Sequence, residues 1–152
     1  MGLDMYLYKK TYVKNWSHIN PEELHKITIK KGGKAVKKIK PERISYIIEQ
    51  VGYWRKFNAL HLWFVNNCQN GVDNCQETYV DPSNLKTLLE ILKNVKENHE
   101  LAPELLPTTP GFFFGGTDYD EYYFEEIERT IKLLENLLKE DDCGDYYYQS
   151  SW

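Results

Sequence analysis

No apolar run in this sequence approaches the ~20 residues that a membrane-spanning helix needs, so a span is not expected. Cysteine is scarce: Cys68, Cys75 and Cys143 are the only three. An odd number without a CxxC pair reads as free thiols rather than a disulfide framework. There is no HExxH or HxxxH, so a zinc site would have to be improvised from Cys68 and Cys75 with His61 or Asp73. There is no GxSxG elbow. Cys68 and His61 lie seven residues apart, two turns of one helix and ~10 Å, too far for direct proton transfer. KKGGK, Lys30 to Lys34, lacks the GxxxxGK[ST] spacing and the following helix of a phosphate loop, and reads as a hairpin turn. No internal repeat is present. The opening MGLDMYLYKK lacks the basic-then-apolar order of an export signal, so export is not expected.

What the chain does have is segregated charge and many aromatics. The net charge is −4, but residues 1–60 hold 13 Lys/Arg against 5 Asp/Glu and residues 61–152 hold 6 against 18. The two halves, +8 and −12, invite pairing within the fold, so nucleic acid is not an expected partner despite seven basic residues between Lys30 and Arg43. Aromatics are 14%, including 12 Tyr and 4 Trp. Their rings with polar tips suit stacking pockets and partner surfaces.

At 152 residues one domain, 1–152, is expected. Leu3, Met5 and Leu7 alternate with Asp4, Tyr6 and Tyr8 as in a half-buried strand. A loop with a short turn after Pro21 follows. Residues 26–39 read as strand, Gly-Gly turn and strand. The apolar run 44–53 reads as a central strand. Residues 54–67 read as a helix apolar on most sides, leaving only a strip near Arg55, Ala59 and Asn66 for water, and so as a buried central helix. A loop from Cys68 to Cys75 leads to a short strand at 77–80. Asp81-Pro82 is an N-cap followed by Pro at the first helical position, with Leu85, Leu88, Leu89, Leu92 and Val95 as the apolar face. Residues 99–110 read as a loop. A third helix runs from Asp120 to about Lys139, with Asp118 and Glu121 in capping-box form. DDCGD, 141–145, reads as a turn and YYYQSSW as a terminal strand docked on this chain or a partner's. The expected architecture is α+β, a mostly antiparallel sheet with about three helices.

MGLDMYLYKK, VGYWRKFNALHLWFVNNCQNGVDNC, GFFFGGTDYDEYYFEEIE and YYYQSSW together cover much of the chain. They resemble a family of small uncharacterised proteins encoded by phages and prophages. The resemblance carries no established activity or catalytic residue. It implies a cytoplasmic accessory protein inside an infected bacterium that acts on a host process, such as blocking a defence enzyme or sequestering a nucleotide signal.

The strongest constellation lies around residues 54–61. Asn58 and His61 are polar positions three apart on an otherwise apolar helix, flanked by Trp54 and Val65. As structural groups they would bond backbone or an acid such as Asp4 or Asp120. As a site they would line a pocket floored by Trp54 and walled by an aromatic of the 112–119 segment, Phe113 or Tyr119. There an Asn amide could read the edge of a stacked nucleobase and Arg55 could hold a phosphate. If the site were catalytic, His61 would be the base and Asp120 would orient it. The reading leans toward a binder of a nucleotide-like small molecule or a host protein over a small hydrolase. No cofactor is expected, and the oligomeric state stays open. The acidic helix at 118–145 offers a third reading, a protein-binding module that mimics nucleic acid. In an extended GFFFGG, at least one of Phe112, Phe113 and Phe114 must face away from the core.

Overall fold

The alternation in the first strand decides how the sheet is used. The computed structural model describes residues 2–140 and 144–152, so Cys143 and most of DDCGD lie outside the described residues. In β1, Asp4–Tyr12, the side chains of Met5, Leu7 and Lys9 are buried on one face, while Tyr6, Tyr8 and Lys10 point to the other. β1 pairs antiparallel with β4, Tyr46–Arg55, on one side and with β6, Asp145–Ser151, on the other. β6 in turn pairs antiparallel with β5, Thr78–Val80. The order is β4-β1-β6-β5, and a separate hairpin joins β2, Lys30–Lys31, to β3, Lys34–Ala35. The chain is α+β, as its pattern implies.

The run at 44–53 does form a strand, but at the edge of the sheet rather than its centre. β1 and β6 hold the centre, and Tyr46, Ile47 and Ile48 are exposed. Apolar residues indicate a wish for cover, not which neighbour supplies it. This end of β4 belongs to a two-stranded hairpin with β1 that runs past the last β6 partner, Lys10–Asp145.

The central helix begins later than its apolar spacing suggests. Trp54 and Arg55 are the last residues of β4, paired with Met5 and Asp4. Lys56 then takes a left-handed backbone (φ 56°), which ends the strand, and Phe57 caps α1, Asn58–Cys68. Asn58, Ala59, Leu60, His61, Trp63, Phe64 and Val65 are all buried. The helix is therefore central, and Ala59 faces packed protein rather than water.

α2, Pro82–Glu97, starts on Asp81, whose carboxylate accepts the Ser83 amide hydrogen at 2.8 Å. It buries Leu85, Leu88, Leu92 and Val95. The following segment is not all loop: a short 3-10 turn at His99–Leu101 runs into α3, Ala102–Leu105, whose first turn accommodates Pro103. α4, Glu121–Lys139, packs along α2 and is capped by Asp120, which accepts from the Tyr123 amide at 3.0 Å. Asp118 is not the cap. Two residues later, Asp120 reaches the third amide of the helix, the geometry a cap requires.

One glycine sets how the sheet meets its helices. The β1–β4 register slips between Leu7 and Tyr8, and just past that bulge Gly52 lies under the ring of Trp54. A methyl on Gly52 would stand 2.6 Å from the indole. That indole is buried, donates to Thr130 Oγ1 of α4 at 2.8 Å, and lies 6.5 Å from the ring of Phe64 on α1. Gly52→Ala is expected to cost about 1–3 kcal/mol through overpacking, read as a lowered melting temperature. In a Trp54→Leu background the same change should cost markedly less. Equal costs in both backgrounds would show that the indole is not what the methyl meets.

Candidate functional site

Where β4 turns into α1, three segments meet. The Leu3 carbonyl accepts from the Lys56 amide at 2.8 Å, and the Leu3 amide donates to Phe113 O at 3.2 Å. The glycine loop is thus laced to the start of β1 and to the strand-to-helix turn. Of the four non-glycine residues with positive φ among the described residues, two are here, Lys56 (56°) and Phe113 (72°). Strained backbone of this kind persists only when its surroundings over-determine it. Gly115, at φ 90°, passes so close to Lys56 that a Cβ would meet its carbonyl oxygen at 3.3 Å, so this position excludes a side chain on two counts.

Asn58 is the bolt of this loop. Its amide nitrogen donates to Phe114 O at 3.1 Å and Gly116 O at 2.8 Å, and its oxygen accepts from the Thr109 amide at 3.0 Å. Three bonds use its main valences, and they hold two stretches of loop on the first turn of α1.

Beside this junction lies an open cavity of about 460 Å³. It is lined by Arg55, Lys56, Phe57 and Asn58 from the strand-to-helix turn, by Thr108, Gly115, Gly116, Asp118 and Asp120 from the loop before α4, and by Tyr122 and Tyr123 of α4. Tyr122 donates its hydroxyl to Arg55 O at 2.5 Å, and Arg129 Nη2 reaches Tyr53 O at 3.0 Å, so α4 grips the end of β4. The side chains of Arg55 and Lys56 have no ion-pair or hydrogen-bond partner among the described residues. Two cations and two carboxylates, with Phe57, Tyr122 and Tyr123, line a cleft of the size that holds small ligands.

Of the seven residues expected to form a site, Arg55, Asn58 and Asp120 line this cavity. Trp54 is buried beneath, on the core side of the sheet. Tyr119 packs edge-on against Tyr123 at 5.0 Å, and its hydroxyl accepts from the Thr108 amide at 3.3 Å, behind the cavity wall. Phe113 is 40% exposed and meets Phe112, which is 83% exposed, edge-on at 4.3 Å. Phe114 alone turns inward, edge-on to His61 at 5.2 Å. Two of the three Phe therefore face away from the core.

His61 belongs to a different network. Its Nδ1 meets the Tyr148 hydroxyl at 2.8 Å and its Nε2 meets Asp73 Oδ2 at 2.9 Å, while the other oxygen of Asp73 accepts from Trp152 Nε1 at 3.1 Å. A carboxylate accepts only, so Nε2 donates to Asp73, and Nδ1 is left to the Tyr148 hydroxyl. Asp120 does not orient His61, because it is committed to the α4 cap. Asp73 does so from the 69–77 loop. Burial, with Asp73 nearby, holds the Tyr148 phenol well above its ordinary range. Tyr148 went unseen in the sequence because it lies 87 residues from His61 and its neighbours are tyrosines too.

Burial also pushes the Cys68 thiol up to about 11, against a partial counter-effect from Asn84. A thiol so rarely ionised is a packed group, not a nucleophile. Among the described residues no cluster of three or more His, Cys, Asp or Glu side chains could hold a metal, and no helix is long and apolar enough to cross a membrane.

Two outcomes follow from this geometry. In a Cys75→Ser/Cys143→Ser background, iodoacetamide at pH 8 should label Cys68 about 100-fold more slowly in the folded protein than in urea. Comparable rates would contradict its burial. Asn58→Ala, which removes three bonds, should lower the melting temperature by about 5–15 °C, and Asn58→Asp, which turns a carboxylate toward two carbonyls, should lower it further. An Asp variant as stable as wild type would mean that the loop does not depend on this amide.

Comparison with protein-family models, with curated proteins and with solved structures finds no match, so the residues themselves carry the functional reading.

Proposed function

We propose that this protein is a non-enzymatic binding protein whose ligand is a small nucleotide-like anion seated between Arg55 and Tyr122. The observation that carries this reading is the Arg55 guanidinium, which borders the cavity and has no acid partner among the described residues. A planar guanidinium left free beside a cleft suits a phosphate bidentately. Tyr122 at the rim offers a ring for stacking, and Asp118 offers an acceptor for hydroxyl or amine groups. The resemblance to small phage and prophage proteins supports an accessory role in a host bacterium, in which holding such a ligand, or a host protein, counters a host function.

The hydrolase reading has less support. Both ring nitrogens of His61 are engaged, and Asp120 is held by its cap. The nucleic-acid-mimic reading is weakened as well, because Glu126, Glu128 and Glu135 of α4 are paired with Arg129, Lys96 and Lys93.

Calorimetric titration with a panel of mono-, di- and cyclic nucleotides tests the proposal. At least one is expected to bind with micromolar affinity, and Arg55→Ala is expected to weaken it at least about tenfold. The bound nucleotide should be recovered unchanged. Recovery of a product would point to an enzyme instead, and binding insensitive to Arg55→Ala would remove this cavity as the site.

A further inference from the structure

The face of the sheet away from the core is a field of tyrosines. On β1, Tyr6 and Tyr8 stack in parallel at 5.9 Å. Tyr53 of β4 lies 5.5 Å from Tyr6. Across the strands Tyr8 is opposite Tyr147, and Tyr147 is opposite Tyr79, whose rings are 5.8 Å apart. Lys10 holds its ammonium 4.2 Å over the Tyr147 ring. The line of rings continues along β1 to Tyr12, which touches Tyr46 at 5.5 Å and Trp16 at 5.4 Å. Each of these rings is at least partly open to solvent. A sheet face does not need so many large rings to stay wet. Rings left open on a sheet are platforms for flat partners.

The line ends at the base of an arm, residues 14–45, that leaves and rejoins the sheet through the β1–β4 hairpin. Lys26, Lys30, Lys31, Lys34, Lys37, Lys38, Lys40 and Arg43 are all exposed. None is in an ion pair with an acid among the described residues, and Arg43 spends one nitrogen on its own arm's Lys38 carbonyl. The expected neutralisation of the basic half by the acidic half does not reach the arm. It occurs within the sheet and helices instead, at Lys9–Glu140 and Lys10–Glu77. The arm carries three acids of its own, Glu22, Glu23 and Glu42, against nine Lys and Arg, and so keeps a net positive charge concentrated between Lys26 and Arg43.

From the two features together we infer that the open tyrosine face and the basic arm form one surface for single-stranded nucleic acid, bases stacking on the rings and phosphates following the arm. Duplex fits poorly, since its bases are already stacked on each other. Of the acids near the face, Glu77 is paired with Lys10 and Asp4 accepts from the Tyr53 hydroxyl at 2.5 Å, while Asp81 and Asp145 lie beside Tyr79, so the phosphates are placed along the arm and not at the β5 edge. The face approaches the Arg55 cavity at Tyr53, but the arm is remote from it. The arm joins β4 at Tyr46, nine residues and about 30 Å from Arg55.

Fluorescence anisotropy with labelled 12-mers of single-stranded DNA and RNA, and with a 12-base-pair duplex, tests the inference at 50 and 200 mM salt. Single strands are expected to bind in the micromolar range, at least about tenfold tighter than duplex. Affinity should fall about 50-fold between the two salts if roughly four phosphates are neutralised. Lys37→Glu/Lys38→Glu/Lys40→Glu should abolish binding, while Lys86→Glu on α2 leaves it unchanged. Tyr8→Ala should weaken binding several-fold without altering the salt slope, and the exposed Tyr79→Ala serves if Tyr8→Ala does not fold. DNA and RNA binding alike would assign recognition to rings and phosphates alone, and preference for RNA would add contacts to the 2′-hydroxyl; both uphold the surface. No binding at 50 mM salt overturns the proposal. So does equal affinity for duplex with no effect of either tyrosine, which would leave only a sticky cationic arm. These outcomes are separable from failure at the cavity, because nucleotide binding there depends on Arg55 and not on the arm.

Discussion

A single indole fixes where the helices stand on the sheet. Trp54 fits over the bare backbone of Gly52 and sends its one polar atom to Thr130, whose hydroxyl in turn bonds the Glu126 carbonyl at 2.6 Å. A buried N–H must find an acceptor, and the acceptor lies on α4, so the ring can sit well only when β4 and α4 are in one relative position. Phe64 of α1 closes the same ring from another side. Everything that shapes the cavity is downstream of this arrangement. The sharp turn at Lys56, the grip of Tyr122 and Arg129 on the end of β4, and the seating of the glycine loop on Asn58 all presuppose that the end of β4 is pinned.

Legibility from sequence followed the range of the forces involved. α2 and α4 were readable because an apolar stripe and a cap are local, and Asp81-Pro82 is about as local as a signal can be. The start of α1 was not. Trp54 falls at helical spacing from His61 and is apolar enough to join the stripe, while the residue that breaks the pattern is a lysine in a left-handed conformation, a type that ordinarily signals no turn. The position of β4 in the sheet was likewise hidden, because hydrophobicity ranks a strand's need for cover and not its neighbours. Around the candidate site, Arg55, Asn58 and Asp120 could be drawn together by eye from three separate segments. The partners of His61 could not, since Asp73 sits in an irregular loop and Tyr148 joins only when the sheet closes.

The charge pattern carries a related lesson. Opposite halves of a sequence pair only where the fold brings them together, and here the basic segment is largely an excursion from the sheet. The molecule therefore has two poles. One is the cationic arm continuous with a wet aromatic face. The other is the α2–α4 layer, where much of the negative charge is locally balanced by lysines and an arginine. On the surface inferred above, such a charge distribution would turn the arm toward a polyanion before contact.

The topology has a cost during synthesis. β1 is a central strand, yet one of its two neighbours is the last strand: Leu7 sits opposite Tyr148. As the chain leaves the ribosome at roughly 5–20 residues per second, β1 waits on the order of ten seconds with one edge unsatisfied. Contacts this distant in sequence also form slowly. Leu3, Met5 and Leu7 would make that edge adhesive toward other nascent chains. Asp4 within the strand, and Lys9 and Lys10 beyond its apolar part, act as gatekeepers of the kind that keep such segments from pairing with strangers. Lys9 ends up buried, bonded to Glu140, so the same ammonium that protects the waiting strand becomes an internal tie once the sheet has closed.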